Sequence, residues 1–177
     1  MIPVFFINTG IILMENLWAP WRMEYIAGHD KKVDGCVFCE AIKNPDDHAN
    51  HIVFRGKYSF VILNKFPYNN GHIMIIPNQH TNDWLKLPDN VQAECYKMIN
   101  LSISAIRKVF SPDALNLGMN LGKAAGAGID EHVHFHILPR WEGDTNFMPV
   151  IAGTKVISES LDSAYTKLKK AFSEIEL

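Results

Sequence analysis

The stretch EHVHFHILPRW, residues 131–141, decides how this chain is read. From His132 to Leu138 the side chains alternate with a period of two, the spacing of a β-strand whose successive residues point to opposite faces. On that spacing His132, His134 and His136 share one face, and Val133, Phe135 and Ile137 share the other. A layer of imidazoles offers a specific chemistry. Neutral imidazole attacks phosphorus near neutral pH, and its cation is a good leaving group, so a histidine can split cleavage of a phosphoanhydride into two steps through a covalent nucleotidyl-histidine. Three surface histidines, or three ligands of one metal, are the alternative readings. Strict alternation with apolar residues, running on through Ile137 and Leu138 to Pro139, favours a reactive strand.

Outward from this strand the chain is read as one α+β domain. Residues 51–55, 58–64 and 72–76 are apolar and β-branched, broken by Gly56-Lys57 and by the turn at 67–71, and predict three antiparallel strands. Residues 114–121 alternate as a fourth strand, and a glycine-rich loop, Gly122 to Gly128, joins it to the histidine strand. Residues 88–110 carry apolar groups at Val91, Cys95, Met98, Ile99, Ile103, Ile106 and Phe110, the spacing of one long helix. Residues 158–175 return to helical spacing. The expected architecture is about five antiparallel strands, one long helix and a C-terminal helix. Within it Cys95 reads as core.

The N-terminal third is less regular. Residues 1–16 read as an extension, and 17–177 as a single domain that opens on an aromatic arm, Leu17 to Ile26, with Trp18, Trp21 and Tyr25. Residues 27–35 form a polar loop that delivers Cys36 and Cys39 in a CVFC knuckle. Residues 1–14 are apolar but have neither a basic flank nor a cleavage site, and are too short to span a bilayer, so no export or membrane anchoring is expected.

Composition narrows the function. The 177 residues are 47% hydrophobic with a net charge of −2, and no Lys/Arg run interleaves with aromatics, so a polymeric nucleic-acid partner is not expected. Three cysteines, two of them in CxxC, favour metal or redox chemistry over a disulfide framework and suit a reducing cytoplasm.

With these residues in view, the sequence resembles the histidine triad (HIT) superfamily, whose signature of three alternating histidines ending in two apolar residues matches His132 to Leu138. The resemblance implies that His134 is the nucleophile, with His136 and His72 completing the catalytic set. FVILNKFPYNNGHIMIIP is similar to the family segment in which an asparagine, here Asn64, contacts the ribose or base side of the substrate and a Gly-His pair, here Gly71-His72, supports the triad. NLGKAAGAG resembles its phosphate loop, with Asn120 as a polar substrate contact and Gly126, Ala127 and Gly128 offering backbone N–H groups. With the arm LWAPWRMEYI and the tail RWEGDTNFMPVI, the likeness covers most of residues 17–152. It is greatest to the bacterial diadenosine tetraphosphate phosphorylase and hydrolase branch.

That branch implies attack by His134 on an α-phosphate of a dinucleoside polyphosphate, then transfer of the nucleotidyl group to phosphate or water. An adenosine phosphoramidase and a zinc-stabilised nucleotide-binding module without turnover are the alternatives. Many relatives carry a serine, threonine or glutamine near Ala127 or Gly128, and this chain carries no polar side chain at either. Lys123 and Arg140 are either polyphosphate contacts or solvated charges. Trp18 and Trp141 are either stacking platforms for a second base or core.

Zinc-containing relatives pair a CxxC with a later histidine and the first histidine of the triad. Here these features match Cys36, Cys39, His80 and His132, a tetrahedral set that leaves no open position and implies a structural zinc with no organic cofactor. A reduced cysteine pair with His80 at the surface is the alternative. The resemblance also implies a homodimer.

Overall fold

The computed structural model describes residues 35–144 and 157–175. The N-terminal extension, the aromatic arm with Trp18, and residues 145–156 of the tail lie outside the described residues. Five strands, β1 (Ile52–Arg55), β2 (Ser59–Leu63), β3 (Ile73–Pro77), β4 (Ala114–Met119) and β5 (Phe135–Arg140), form one antiparallel sheet in the order β1-β2-β3-β5-β4. Among the described residues three α-helices accompany it: α1 (Val37–Lys43), α2 (Asp89–Phe110) and α3 (Leu161–Ser173). This is the expected α+β plan, with α2 as the long helix and α3 as the C-terminal one.

Every residue of β2 and β3 is buried, because the sheet is covered on both faces. On one face Val61, Leu63, Ile73, Ile75 and Ile137 pack against Cys95, Met98 and Ile106 of α2 and Leu168 and Phe172 of α3. On the other, Phe60, Ile62, Met74 and Ile76 pack against Cys36, Phe38 and Ala41 around α1. Cys95 is core, as its place on the apolar stripe of α2 requires. Ser160 caps α3, its hydroxyl accepting from the Ser163 N–H. At the far end of α2, Ser111 adopts a left-handed conformation and Pro112 follows.

Two boundaries at the site differ from the sequence reading, beyond shifts of one to three residues at the ends of other elements. The histidine strand enters the ladder only at Phe135 and continues through Pro139 to Arg140. Upstream of Phe135 its partners change: the Val133 N–H donates to the Thr81 carbonyl, and the Pro77 carbonyl is taken by the His132 ring. His132 and His134 thus sit just upstream of the strand, His132 at a bend. The CVFC segment, read as a knuckle in a loop, is instead the start of α1: Cys36 is its N-cap residue and Cys39 lies within its first turn. Cys36 makes no side-chain cap hydrogen bond, so nothing in the usual capping chemistry announces this seven-residue helix.

Gly71 fixes the start of β3. Its φ of +70° belongs to the left-handed region, and a Cβ there would lie 2.6 Å from the Phe110 ring. No larger residue fits this approach of the turn to α2, and the turn delivers His72 to the sheet.

Candidate functional site

His132, His134 and His136 are all buried and share one side of their segment, while Val133 packs with Leu87 and Val91 and Ile137 enters the main core. The His134 and His136 rings meet edge-on at 4.7 Å between centroids. Phe38 of α1 packs edge-on against both His132, at 5.6 Å, and His134, at 5.1 Å. His72, fully buried at the head of β3, places Nε2 2.9 Å from Nδ1 of His136.

Backbone groups fix where the imidazole protons lie, because a peptide carbonyl only accepts and a peptide N–H only donates. His134 Nδ1 is 2.8 Å from the His132 carbonyl, so Nδ1 carries the proton and Nε2 is left with a lone pair. His72 Nδ1 accepts from the Tyr68 N–H at 3.2 Å, so the His72 proton sits on Nε2 and is donated to His136 Nδ1. His136 then carries its own proton on Nε2. Two adjacent rings therefore present opposite groups: a lone pair on His134 and an N–H on His136. Burial pushes His134 below the ordinary histidine pKa, outweighing the opposing pull of the His132 carbonyl, and this keeps the nucleophilic form populated.

A small cleft of about 60 Å³ opens onto these two rings, lined by Asn64, Phe66, Tyr68, Met74, Gly128 and Ile129. A mostly apolar slot ending in two imidazoles suits a flat base or nucleoside with its phosphate at the histidines. Of the expected contacts, Asn64 and Gly128 line the cleft. Asn120 stands over the loop with Nδ2 3.5 Å from the Gly126 carbonyl, and Gly126 closes a 3₁₀ turn at a φ of +88°. Ala127 is half-buried beside them.

The two cations considered from sequence are placed differently. Arg140 forms a bidentate pair with Asp144 at 2.6 and 2.8 Å and donates to Asn116 as well, so it is a structural clamp at the end of β5. Lys123 is 83% exposed and 3.8 Å from Asp130. Trp141 is half-buried immediately after β5. The sequence reading missed Phe38, Phe66, Tyr68, Met74 and Ile129. Phe66 and Tyr68 were legible as aromatics between Asn64 and Gly71, and the others need the fold to bring them in.

Cys36, Cys39, His80 and His132 converge, their four donor atoms all lying within 4.8 Å of one another. Cys36 Sγ is 3.3 Å and Cys39 Sγ 3.7 Å from His132 Nδ1, and Cys39 Sγ is 3.4 Å from His80 Nδ1. A tetrahedron with metal–sulfur bonds of about 2.3 Å and metal–nitrogen bonds of about 2.05 Å has edges of roughly 3.3–3.8 Å, so the donors fit. The His132 Nε2–H donates to the Pro77 carbonyl at 2.9 Å, which leaves Nδ1 as the lone pair facing the sulfurs. Burial and the neighbouring Cys36 push the Cys39 thiol up to about 11. A cation among the donors would supply the charge that a thiolate there lacks.

Comparison with known proteins follows the same lines. The family model for the HIT domain matches residues 46–143. A relative named AP-4-A phosphorylase, from Mycobacterium tuberculosis, is 37% identical over 155 residues, covering 84% of this chain and 79% of the relative. Among solved structures, a histidine triad nucleotide-binding protein from Sulfolobus tokodaii superposes with a TM-score of 0.62 at 31% identity, covering 78% of this chain and 90% of that one. A Zn-bound histidine triad family protein from Mycobacterium smegmatis shares the fold with a TM-score of 0.63 at 24% identity, covering 79% and 94%.

Proposed function

The chain belongs to the HIT-domain (histidine triad) family, and from that premise we propose that it is a nucleotidyl-transfer enzyme acting on dinucleoside polyphosphates of the diadenosine tetraphosphate type. The observation that carries this reading is the pair of opposite tautomers at the end of the cleft. The lone pair on His134 Nε2 forms a bond to the α-phosphorus, and the bond from that phosphorus to the bridging oxygen breaks, releasing the remaining nucleoside polyphosphate. The positive charge on the His134 ring is shared through its Nδ1–H with the His132 carbonyl. His136 Nε2–H and the amides of Ala127 and Gly128 donate to phosphate oxygens as charge develops, while the Gly126 N–H, held by the Lys123 carbonyl at 2.9 Å, shapes the turn that presents them. An oxygen of inorganic phosphate or water then attacks the same phosphorus, the P–N bond breaks, and His134 is restored.

In this reading Asn64, Asn120, Gly126, Ala127 and Gly128 surround the nucleoside and its phosphates, and His72 acts through His136. A relative at 37% identity that is named a phosphorylase supports phosphate as the acceptor. Cys36, Cys39, His80 and His132 would hold a structural zinc, because four protein donors fill a tetrahedral ion and leave no position for water. Bound there, the ion would fasten α1 to the histidine segment.

We further propose a homodimer built along β4. This edge strand, ALNLGM, carries neither lysine nor proline, and Leu117 and, just beyond it, Leu121 are 47% and 54% exposed. An apolar, unblunted edge is a template for a second copy. Among the described residues no helix is long and apolar enough to cross a membrane, and the described cysteines are all free thiols. A reducing cytoplasmic setting is consistent with both.

The test is product analysis after incubation with diadenosine tetraphosphate, with and without inorganic phosphate, using His134→Ala as control. ATP plus ADP only with phosphate is expected. ATP plus AMP irrespective of phosphate would make water the acceptor. Turnover of adenosine 5′-monophosphoramidate alone would make the protein a phosphoramidase, and no turnover of either would leave a nucleotide-binding module.

A further inference from the structure

Helix α1 is gripped at its C-terminal end by a side chain from the sheet. The guanidinium of Arg55, the last residue of β1, donates through Nη1 to the Ile42 carbonyl and through Nη2 to the Asn44 carbonyl, both at 2.8 Å. Its Nε donates to Asp47 Oδ1 at 2.7 Å, and Asp47 Oδ2 accepts from Lys169 of α3 at 2.7 Å. A carboxylate fixed from α3 therefore sets the plane of the fork, and two carbonyls at a helix C-terminus take its remaining nitrogens. The opposite end of α1 carries Cys36 and Cys39. Between the two ends, Phe38 packs on both His132 and His134.

This helix needs a hold from outside itself. Seven residues are about half the length at which a helix persists alone in water. Its N-cap residue makes no side-chain hydrogen bond, and of its own residues only Phe38 and Ala41 are buried. We propose that Arg55 is a positioning residue that keeps α1 docked with or without an ion, and so holds the two cysteines in register with His132 and Phe38 against His134. Arg55 and the ion are then two fasteners at opposite ends of one rod, about 10 Å apart, and each covers for the loss of the other. The inference rests on the proposed metal site and the nucleotidyl-transfer reading for its functional consequences. The hold on α1 stands independently of both.

The experiment uses the full chain as wild type, Arg55→Met, Cys39→Ser and the double variant. Lys108→Met serves as control, since it breaks the 2.6 Å pair with Glu174 on the opposite face of the sheet from α1. Three quantities are measured: zinc affinity by competition with a chelating dye, amide exchange in chelator, and turnover of diadenosine tetraphosphate with and without chelator. The amides followed are those of Glu40 and Asn44, which donate to the Cys36 and Glu40 carbonyls within α1. Arg55→Met is expected to weaken zinc binding about tenfold, because an α1 docked only a tenth of the time in the ion-free chain raises the apparent Kd by that factor. Exchange of the two amides is expected to quicken by a similar factor, and Lys108→Met to change neither quantity. Turnover by Arg55→Met is expected to fall tenfold or more only in chelator, and the loss in the double variant to exceed the product of the two single losses. Wild-type zinc affinity and wild-type exchange in Arg55→Met would overturn the proposal. Equal effects in Lys108→Met would overturn it too, because they would mark general destabilisation. If wild type binds no zinc the metal reading fails, and if it turns over no substrate the nucleotidyl-transfer reading fails. In either case the exchange rates alone decide whether Arg55 holds α1. Should Arg55→Met not fold, Arg55→Lys, which keeps the charge and loses the fork, carries the same measurements with the same expected directions.

Discussion

The carbonyl of His132 lies 2.8 Å from Nδ1 of His134, so the residue whose ring faces the two cysteines also sets the tautomer of its neighbour. The ring of His132 and its backbone do separate jobs. Nδ1 faces the sulfurs and Nε2–H holds the Pro77 carbonyl, while the peptide oxygen holds His134. In the proposed reading, metal binding and orientation of His134 would share one residue without sharing an atom, and mutations should separate them.

Replacing His134 with alanine removes the proposed nucleophile and touches none of the four candidate metal donors. Turnover is expected to fall by roughly a thousandfold or more, with metal content and nucleotide binding kept. Product assays beside elemental analysis check this, and residual turnover within tenfold of wild type would remove His134 from the role of nucleophile.

Cys39→Ser should show the reverse pattern. Cys39 is the less buried of the two sulfur donors, and its loss leaves three ligands of four. Metal content is expected to fall well below one ion per chain. The stability contributed by the ion, about 3 kcal/mol or more at saturation, should go with it, lowering Tm by roughly 10 °C. Below the new Tm the variant should keep much of its turnover, because the His132 carbonyl remains in place. A chelator applied to wild type should reproduce the shift. The increment should shrink as pH falls, since protons compete with the ion for a Cys39 thiol that burial and Cys36 hold near 11.

Much of this site is legible in the order of the residues. Period-two spacing predicts the three histidines on one face, and they do share one side although only His136 stands in the strand, while the stripe on α2 follows from residues such as Val91, Cys95 and Met98. What escapes depends on contacts between distant parts of the chain. The start of the ladder at Phe135 is set by Thr81 and Pro77 diverting backbone bonds. The helix that begins at Cys36 lacks a capping side-chain bond and spans only seven residues. Arg140 reads as available for phosphate, but Asp144, one helical-turn spacing away in sequence and across a bend in space, holds it. The tautomers of His72 and His136 rest on where single peptide N–H groups land, which no pattern of residue types encodes.

The exposed β4 edge makes a prediction about assembly. Gly118 faces open space, and Leu117 beside it is exposed, so a second strand can approach without displacing a side chain. Wild type is expected to run as a dimer in size-exclusion chromatography with light scattering, and Leu117→Glu as a monomer, since two like charges would face each other across a two-fold axis. A monomeric wild type would place the contact elsewhere or nowhere.

Asp47 gives a prediction for acid stability whose sign follows from its partners. Its Oδ1 is 2.7 Å from Arg55 Nε at the end of β1, and its Oδ2 is 2.7 Å from Lys169 Nζ on α3. One carboxylate therefore ties the segment before β1 to the C-terminal helix. Burial raises the pKa of this carboxyl, but the hydrogen bonds from Lys169 and Arg55 outweigh it, and the net direction is down. A carboxylate whose folded pKa lies below its unfolded value of about 3.9 contributes its full stability above that value and loses it as pH falls through the folded pKa. Asp47→Asn should therefore cost about 1 kcal/mol near neutral pH, roughly 3 °C in Tm, and the gap to wild type should shrink as pH falls below the unfolded value and through the lowered folded pKa. Melting curves of both proteins in chelator, at neutral and acid pH, check it. A gap that persisted at the acid end would mean that Asp47 acts through its shape and neutral hydrogen bonds, and that the charge on the carboxylate does not hold α3 to the sheet.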